Sequence, residues 1–544
     1  MTLIKSLLLG SAAGIVAVAS AQAADLPTRK AAPVEYVRVC NVGGITGWTL
    51  PGSDTCLKVS GYVTAHFIGG NINNQYNSAS PILPAVAAAI DPFHSTSVAL
   101  NQVLLVQGGD HTVPIFNGIT GAPLRVTLPA QKNAIFNRDA IGWNVRANFG
   151  FDVASNTAYG PLIGHFDINS DVGSGIDSPR GSNTYVNTGY ITWAGITAGK
   201  AQSFFSFIGG GDNWNNFFSP DRKGFNEPNL IAYTASFGGG FTATISAESQ
   251  GTVGGSGGGT NLTGAYGAGQ NGGVQGTGLF AGGVPGPTSF GGQRWPDVVG
   301  ALHVKQGWGE AQVSGVIHNV NVRDYNFQDT FGCGVTAVLV ACNASEGKVG
   351  WAVDAGVKIN LQPWFGGWGF GAGDDLIVTG VYSQNAVWYS GLPDAMNGEN
   401  GQVNGNGQPM ILADAFFNPL TNQWSTPRAW SVSALLEHHW TPQFYTDLEA
   451  SYGQLLWNNM NQNVLGVGTG VLSPRALTWL LGADIGWNPA TNLNFDLELM
   501  YQAVTQEKPS ATVGTVFNNG AFIPGAWNGN SNGFQGRLRI TRYF

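Results

Sequence analysis

The sequence predicts a transmembrane antiparallel up-and-down β-barrel of about sixteen strands. Three observations predict it. Long strand-like segments carry one apolar and one polar parity. Their connections alternate between short and long. The composition is poor in charge yet rich in Gly and Trp. Such a sheet must close on itself, because lipid cannot satisfy an open strand edge.

The chain begins with an export signal. Lys5 is the only charge ahead of the apolar run Leu7–Ala19, and Ala21-Gln22-Ala23 gives the small-x-small pattern of a cleavage site. Residues 1–23 are read as a signal peptide. Their removal takes away Lys5 and no acid, moving the net charge from −8 to about −9. Nothing later approaches the roughly 18–20 apolar residues of a transmembrane helix. Residues 24–56 form a periplasmic segment, which either pairs beside the first strand or lies under the barrel. Residues 57–544 are the barrel.

Charged residues make up 10% of the chain and hydrophobic residues 43%, with 80 Gly and 17 Trp in 544 residues. That balance suits an uncharged outer face, a polar inner face and loops of small residues. A disordered chain would hold far fewer aromatics. The mild acidity argues against nucleic acid as a partner. The cysteines fall into two local pairs, Cys40/Cys56 and Cys333/Cys342. After export these are most simply disulfides, each worth about 3 kcal/mol in the chain-entropy model. A metal site would need further Cys or His at ligand spacing, and neither pair has them.

The strands are expected near 57–68, 140–153, 159–169, 184–194, 196–203, 229–237, 240–249, 296–305, 308–319, 348–361, 374–389, 428–440, 443–454, 476–488, 491–505 and 532–544. In the second, Ile141, Trp143, Val145, Ala147, Phe149 and Phe151 oppose Asn144, Arg146, Asn148 and Asp152. In the tenth, Val349, Trp351, Val353, Ala355, Val357, Ile359 and Leu361 oppose Asp354, Lys358 and Asn360. A soluble sandwich also alternates, but with strands of about five or six residues. Many of these are long enough to cross a bilayer at a tilt.

Connections after even-numbered strands are short: Ser155–Ala158, Gly195, Gly238–Gly239, Gly307, Thr441–Pro442 and Asn488–Ala490, with Gln362–Gly373 moderate. Those after odd-numbered strands are long: 69–139, 170–183, 204–228, 250–295, 320–347, 390–427, 455–475 and 506–531. This alternation gives periplasmic turns and external loops, with the first and last strands free to close. Trp479 and Trp487 share the outer parity, about 20 Å apart along the normal at the usual rise and tilt. Trp430 and Trp440 repeat the spacing, as two aromatic girdles flanking an apolar band about 25 Å tall require. Core packing is the simpler reading of either pair alone. Gly251–Gly292 has no Asp or Glu for a calcium repeat and no following helix for a phosphate loop, so it reads as an external loop.

Several blocks resemble a known family. They are AAGIVAVASAQAADLP near the start, EYVRVCNVGGITGWTLPGSDTCLKVSGYV at 35–63, TGYITWAGITAGKAQSFFSF at 188–207, NLIAYTASFGGGFTATISAE at 229–248 and the RYF end. They are similar to the alphaproteobacterial (Rhizobiales-type) outer-membrane porins. The terminal alternating strand ending on Phe544 resembles the assembly signal of Gram-negative outer-membrane proteins. The porin resemblance implies a homotrimer of sixteen-stranded barrels in outer-membrane lipid. Each would have a water-filled pore for small hydrophilic solutes and ions, narrowed by an inward third loop. The chain departs from the family in its long first loop, 69–139, which includes the apolar stretch SPILPAVAAAIDPF at 80–93. Packing over the mouth, contact with a neighbouring subunit, and binding of something outside all stand as readings of it.

A diffusion pore does no bond chemistry, so no catalytic residue, metal or cofactor is expected. Its function is a radius and a field. The third loop, Phe204–Pro228, carries Asp212, Asp221 and Glu227 against Arg222 and Lys223, with Phe204, Phe205, Phe207, Trp214, Phe217 and Phe218 as anchors. Parity assigns Lys58, Arg146, Lys358, Arg537 and Arg539 to the lumenal wall as bases. The acids are Asp152, Asp354, Glu437, Asp447, Glu449, Asp484, Asp496 and Glu498. Acids gather on strands twelve to fifteen, and four of the bases on strands sixteen, one and two. That split implies a transverse field with weak cation preference. The plainer reading is a set of wall-holding ion pairs such as Glu498 with Arg537.

Three other readings compete with a diffusion porin. One is a substrate-selective barrel with the first loop as lid, whose flux would saturate. Another is a surface adhesin barrel, which would not conduct. The third is a barrel enzyme, for which only Glu437 and His439 share a lumenal parity, with no HExxH or G-x-S-x-G motif.

Overall fold

A computed structural model describes residues 38–70, 141–175, 183–207, 227–249, 294–321, 347–392, 414–418, 423–458, 475–507 and 530–544, with short strand pieces in the long loops. Eighteen strands share one sheet, and sixteen of them close into a barrel. These are β1 Cys56–Gly70, β2 Ile141–Thr157, β3 Gly160–Gly175, β4 Asn183–Trp193, β5 Ile196–Lys200, β6 Asn229–Gly238, β7 Phe241–Glu248 and β8 Asp297–Gln306. They continue as β9 Gly309–Asn321, β10 Gly347–Asn360, β11 Asp375–Gln384, β12 Pro427–His439, β13 Phe444–Trp457, β14 Arg475–Ala490, β15 Leu493–Gln506 and β16 Asn530–Tyr543. Every neighbour pair is antiparallel, and the expected alternation of turns and long loops is present.

Closure runs through the last strand. β16 pairs with β15 on one side and with β1 on the other, from Gln535↔Gly70 to Tyr543↔Tyr62. Phe544 completes the seam by exchanging two backbone hydrogen bonds with Gly61 (3.0 and 3.2 Å). A Cβ on Gly61 would collide with the Phe544 ring, so this strand position is kept bare for a close approach.

β1 extends past the point where β16 ends. That exposed edge meets a hairpin of Val39–Val42 and Ile45–Thr49, which pairs through Trp48↔Leu57 and Thr49↔Cys56. Of the two placements open for residues 24–56, the hairpin therefore pairs beside the first strand. The Cys40–Cys56 disulfide pins it there, and Val42, Ile45, Ala154 and Ile163 pack around the bridge. Cys333 and Cys342 lie outside the described residues.

Two expected strands end early. β5 stops at Lys200 rather than 203, and β11 at Gln384 rather than 389. The apolar alternation continues through Val387 and Tyr389, but Asn385 takes a left-handed conformation (φ 54°) that breaks the strand. In both places the chain leaves the wall and turns inward.

The outer face is apolar and belted. Ile141, Trp143 and Val145 of β2 and Val349, Trp351 and Val353 of β10 are exposed there, on the parity expected. At the long-loop end, ring pairs run Phe67–Trp143, Phe534–Tyr501, Tyr501–Trp479, Tyr452–Trp430 and Tyr382–Trp351, all 4.5–5.6 Å between centroids. At the short-turn end Phe444 stacks on Trp487 (5.9 Å), which meets Phe495 (5.4 Å). Trp479 and Trp487 thus stand in separate belts.

Candidate channel interior

The inner face carries the ionisable side chains. Lys58 lies 3.8 Å from Asp152, and Arg146 grips Asp171 with two bonds of 2.6 and 3.0 Å. Asp152 also meets His165 Nδ1 at 2.6 Å. Lys358 reaches Asp375 at 2.9 Å, Arg539 pairs with Asp496, and Glu437 lies 3.5 Å from His439. Of these pairs Arg539–Asp496 is the fully buried one, where each charge needs its partner to offset desolvation.

The acids of β11 to β15 form a row along the hydrogen-bonding direction. Asp375 faces Glu437, then Asp447, Asp484 and Glu498 follow in direct register, and Glu498 faces Arg537. Directly opposed neighbours in a sheet sit about 5 Å apart. Glu449, two residues beyond Asp447, lies over Gly482. The row starts at the short-turn rim, where β11 begins, and reaches mid-wall at Arg537. Arg537 and Arg539 on β16, with Lys58 and Arg146 on β1 and β2, make the basic arc beside it. Acids set opposite one another along one arc concentrate negative potential there. Asp354 is buried on the inner face of β10.

Two segments fold into the lumen and meet. After β5, Ser203 Oγ donates to Glu248 (2.6 Å), the Phe204 amide donates to the same carboxylate (3.1 Å), and Ser314 Oγ donates to the Phe205 carbonyl (2.6 Å). Phe205 is fully buried against Val299, Val316, Ala352 and Val381, which face inward from β8 to β11. The Phe207 ring lies over Gly356 of β10, where any Cβ would clash with it. Glu227 stands at the return of this loop, beside Pro228, whose carbonyl accepts from the Ala201 amide (3.2 Å). Asp212, Trp214, Phe217, Phe218, Asp221, Arg222 and Lys223 lie outside the described residues.

The second inward segment follows β11. Val387–Ser390 forms a buried 3-10 turn whose Tyr389 ring meets Phe205 edge-on at 4.8 Å. The Tyr389 hydroxyl donates to Asp297. His318 sits between Asp297 (2.9 Å) and Asp414 (3.2 Å), and Asp414 accepts from the Val387 amide at 2.5 Å. Ser431 Oγ donates to the Ser390 carbonyl (2.6 Å).

Sequence reading placed this segment partly in a strand and missed it. The available signal was Val299, Val316, Ala352 and Val381, four apolar residues at inward positions of a polar wall. An apolar patch facing a lumen requires a cover. Among the described residues, no three His, Cys, Asp or Glu side chains converge to hold a metal ion.

The chain is similar to known proteins over most of its length. A family model described as a porin subfamily matches residues 25–81 and 129–527. The internal unmatched stretch, 82–128, falls inside the long first loop. The chain is 28% identical to porin Omp2b of Brucella neotomae over 401 residues, 67% of this chain and 85% of that protein. It is also 28% identical to porin Omp2a of Brucella ovis over 391 residues, 67% of this chain and 91% of that one. Among solved structures, the outer-membrane channel DcaP of Acinetobacter baumannii superposes with a TM-score of 0.48 at 10% identity, covering 92% of this chain and 99% of that one.

Proposed function

The chain belongs to this porin subfamily, and from that premise we propose how its channel selects what it passes. It is an outer-membrane β-barrel, and its function is a water-filled path for passive diffusion of small hydrophilic solutes and ions. The observation that carries the selectivity reading is the register row of carboxylates from Asp375 to Glu498. The acid row and the bases Arg537, Arg539, Lys58 and Arg146 occupy adjoining strands, so one stretch of the wall changes sign where Glu498 faces Arg537. Polar solutes orient in that field and cations are mildly favoured, while apolar solutes cannot recover the lost hydration.

Asp212, Asp221, Arg222, Lys223 and Glu227 are proposed as the charges of the constriction, a reading supported by the inward fold of Ser203–Phe207 and by the family resemblance. The channel performs no bond chemistry and binds no cofactor. It works as a homotrimer in outer-membrane lipid, a state supported by the family resemblance. Residues 1–23 direct export, and Phe544 marks the terminal strand for assembly.

Planar-bilayer recording of the purified protein under a salt gradient tests this. Large conductance steps that close in threes, with a reversal potential of cation-preferring sign, are expected. A folded but silent protein would remove the diffusion reading. The second inward segment favours one variant of it, a substrate-selective channel, and saturable solute flux would be its signature.

A further inference from the structure

The turn between β10 and β11, residues 361–374, does more than reverse the chain. The other turns at this end take two to four residues, such as Ala158–Tyr159, Ala194–Gly195 and Thr491–Asn492. This one is several times longer and reads LQPWFGGWGFGAGD, without a charge until Asp374. It forms one helical turn, Gln362–Phe365, and a 3-10 turn, Gly366–Trp368. Trp364 is 65% exposed and Trp368 84%, with Phe365 beside them. Aromatic rings left this open, on a segment longer than the reversal needs, mark an interaction surface.

Its position says which surface. The Asp374 carboxylate accepts from the Gly371 amide (2.8 Å), the His439 amide (2.7 Å) and the His438 ring (2.7 Å), which fixes the turn to the end of β12. Phe370 then packs edge-on to His438 (5.5 Å), and His438 to Trp440 (4.4 Å). His438 and Trp440 share the outward parity of Trp430 and Val432. Phe370 therefore sits on the outer side of the rim, while Gly373 and Asp374 back onto the inward-facing His439. Through Trp440 it continues the short-turn belt of Phe444, Trp487 and Phe495.

We propose that this turn is a membrane-interface foot, seated in the headgroup layer of the inner leaflet, with the phospholipid surface as its partner. Trp and Phe on a glycine-rich backbone suit that layer, where ring faces meet acyl chains while indole N–H and backbone amides meet water and headgroups. The absence of charge means that partition, not attraction to anionic lipid, holds it there.

Tryptophan quenching in phosphatidylethanolamine/phosphatidylglycerol vesicles tests the foot. The full-length protein is compared with Trp364→Tyr/Trp368→Tyr, and the emission lost in the variant is the signal of the turn. That difference emission is expected to be blue-shifted. Lipid brominated near the headgroup should quench it at least about twofold more than lipid brominated near the chain end, and iodide should quench it weakly. Emission at the water-exposed wavelength, quenched by iodide and untouched by brominated lipid, would overturn the proposal. So would a signal shielded from both quenchers, which would mean that a second protein copy covers the turn. Trp368→Phe serves if the double variant folds poorly. Conductance is expected to be unchanged, so failure here is distinct from failure of the channel reading.

Discussion

Phe205 and Phe207 fix the third loop to the wall through shape, and each makes a distinct prediction. Phe205 fills an apolar socket made by four strands, and its truncation to Ala is expected to cost about 3–5 kcal/mol. Released from that socket, the inward segment should swing away and raise single-channel conductance. Gly356→Val should do the same without touching the loop, because a side chain there occupies the place of the Phe207 ring. Unchanged conductance in both variants would remove these residues from the constriction. Asp374 offers a pH test. Burial alone would raise its pKa, but two backbone amides and the His438 ring outweigh that and hold it below the usual carboxylate value. A depressed folded pKa stabilises the fold above the ordinary carboxylate range, and that contribution disappears as pH falls through the folded value. Asp374→Asn is expected to lower stability at neutral pH by about 1–3 kcal/mol, with the difference from wild type vanishing in strong acid. Thermal unfolding across pH measures it.

Among the elements, the hairpin and the inward turn after β11 carry functions that their sequences only half disclose. The hairpin covers the stretch of β1 that β16 does not reach, and the Cys40–Cys56 bridge holds it on that edge. Replacing both cysteines by Ser is expected to cost up to about 3 kcal/mol and to speed amide exchange at 45–49, while leaving conductance alone. The turn Val387–Ser390 depends on Asp414 and His318, which tie it to β8 and β9. Breaking a buried charge-paired contact costs about 3–5 kcal/mol. Asp414→Ala is therefore expected to free the turn and widen the channel, read as higher conductance with the reversal potential unchanged. The strand pattern hid this turn because alternation runs on through Val387 and Tyr389. Periodicity reports which side a residue faces, not whether the backbone still belongs to the sheet. The inward apolar residues were the better clue, since burial inside a lumen has meaning only if something covers it.

For the whole molecule, the prediction concerns the field. Neutralising Asp447, Asp484 and Glu498 together as Asn, Asn and Gln should shift the reversal potential toward anions, with little change in conductance. An unchanged reversal potential would show that the row does not act on the path. What the sequence by itself determined was the barrel: strand number, parity, the order of turns and loops, and the strand that closes the seam. Those follow from local rules, because each residue's face is set by its neighbours two positions away and lipid allows no open edge. What only the tertiary structure decided was the interior. Register brings Asp375, Glu437, Asp447, Asp484 and Glu498 into one row, although they are scattered over more than a hundred positions. Phe205 meets Tyr389 across 184 positions of sequence. Such meetings depend on how far each strand is sheared against the next, and no local period in the chain records that offset.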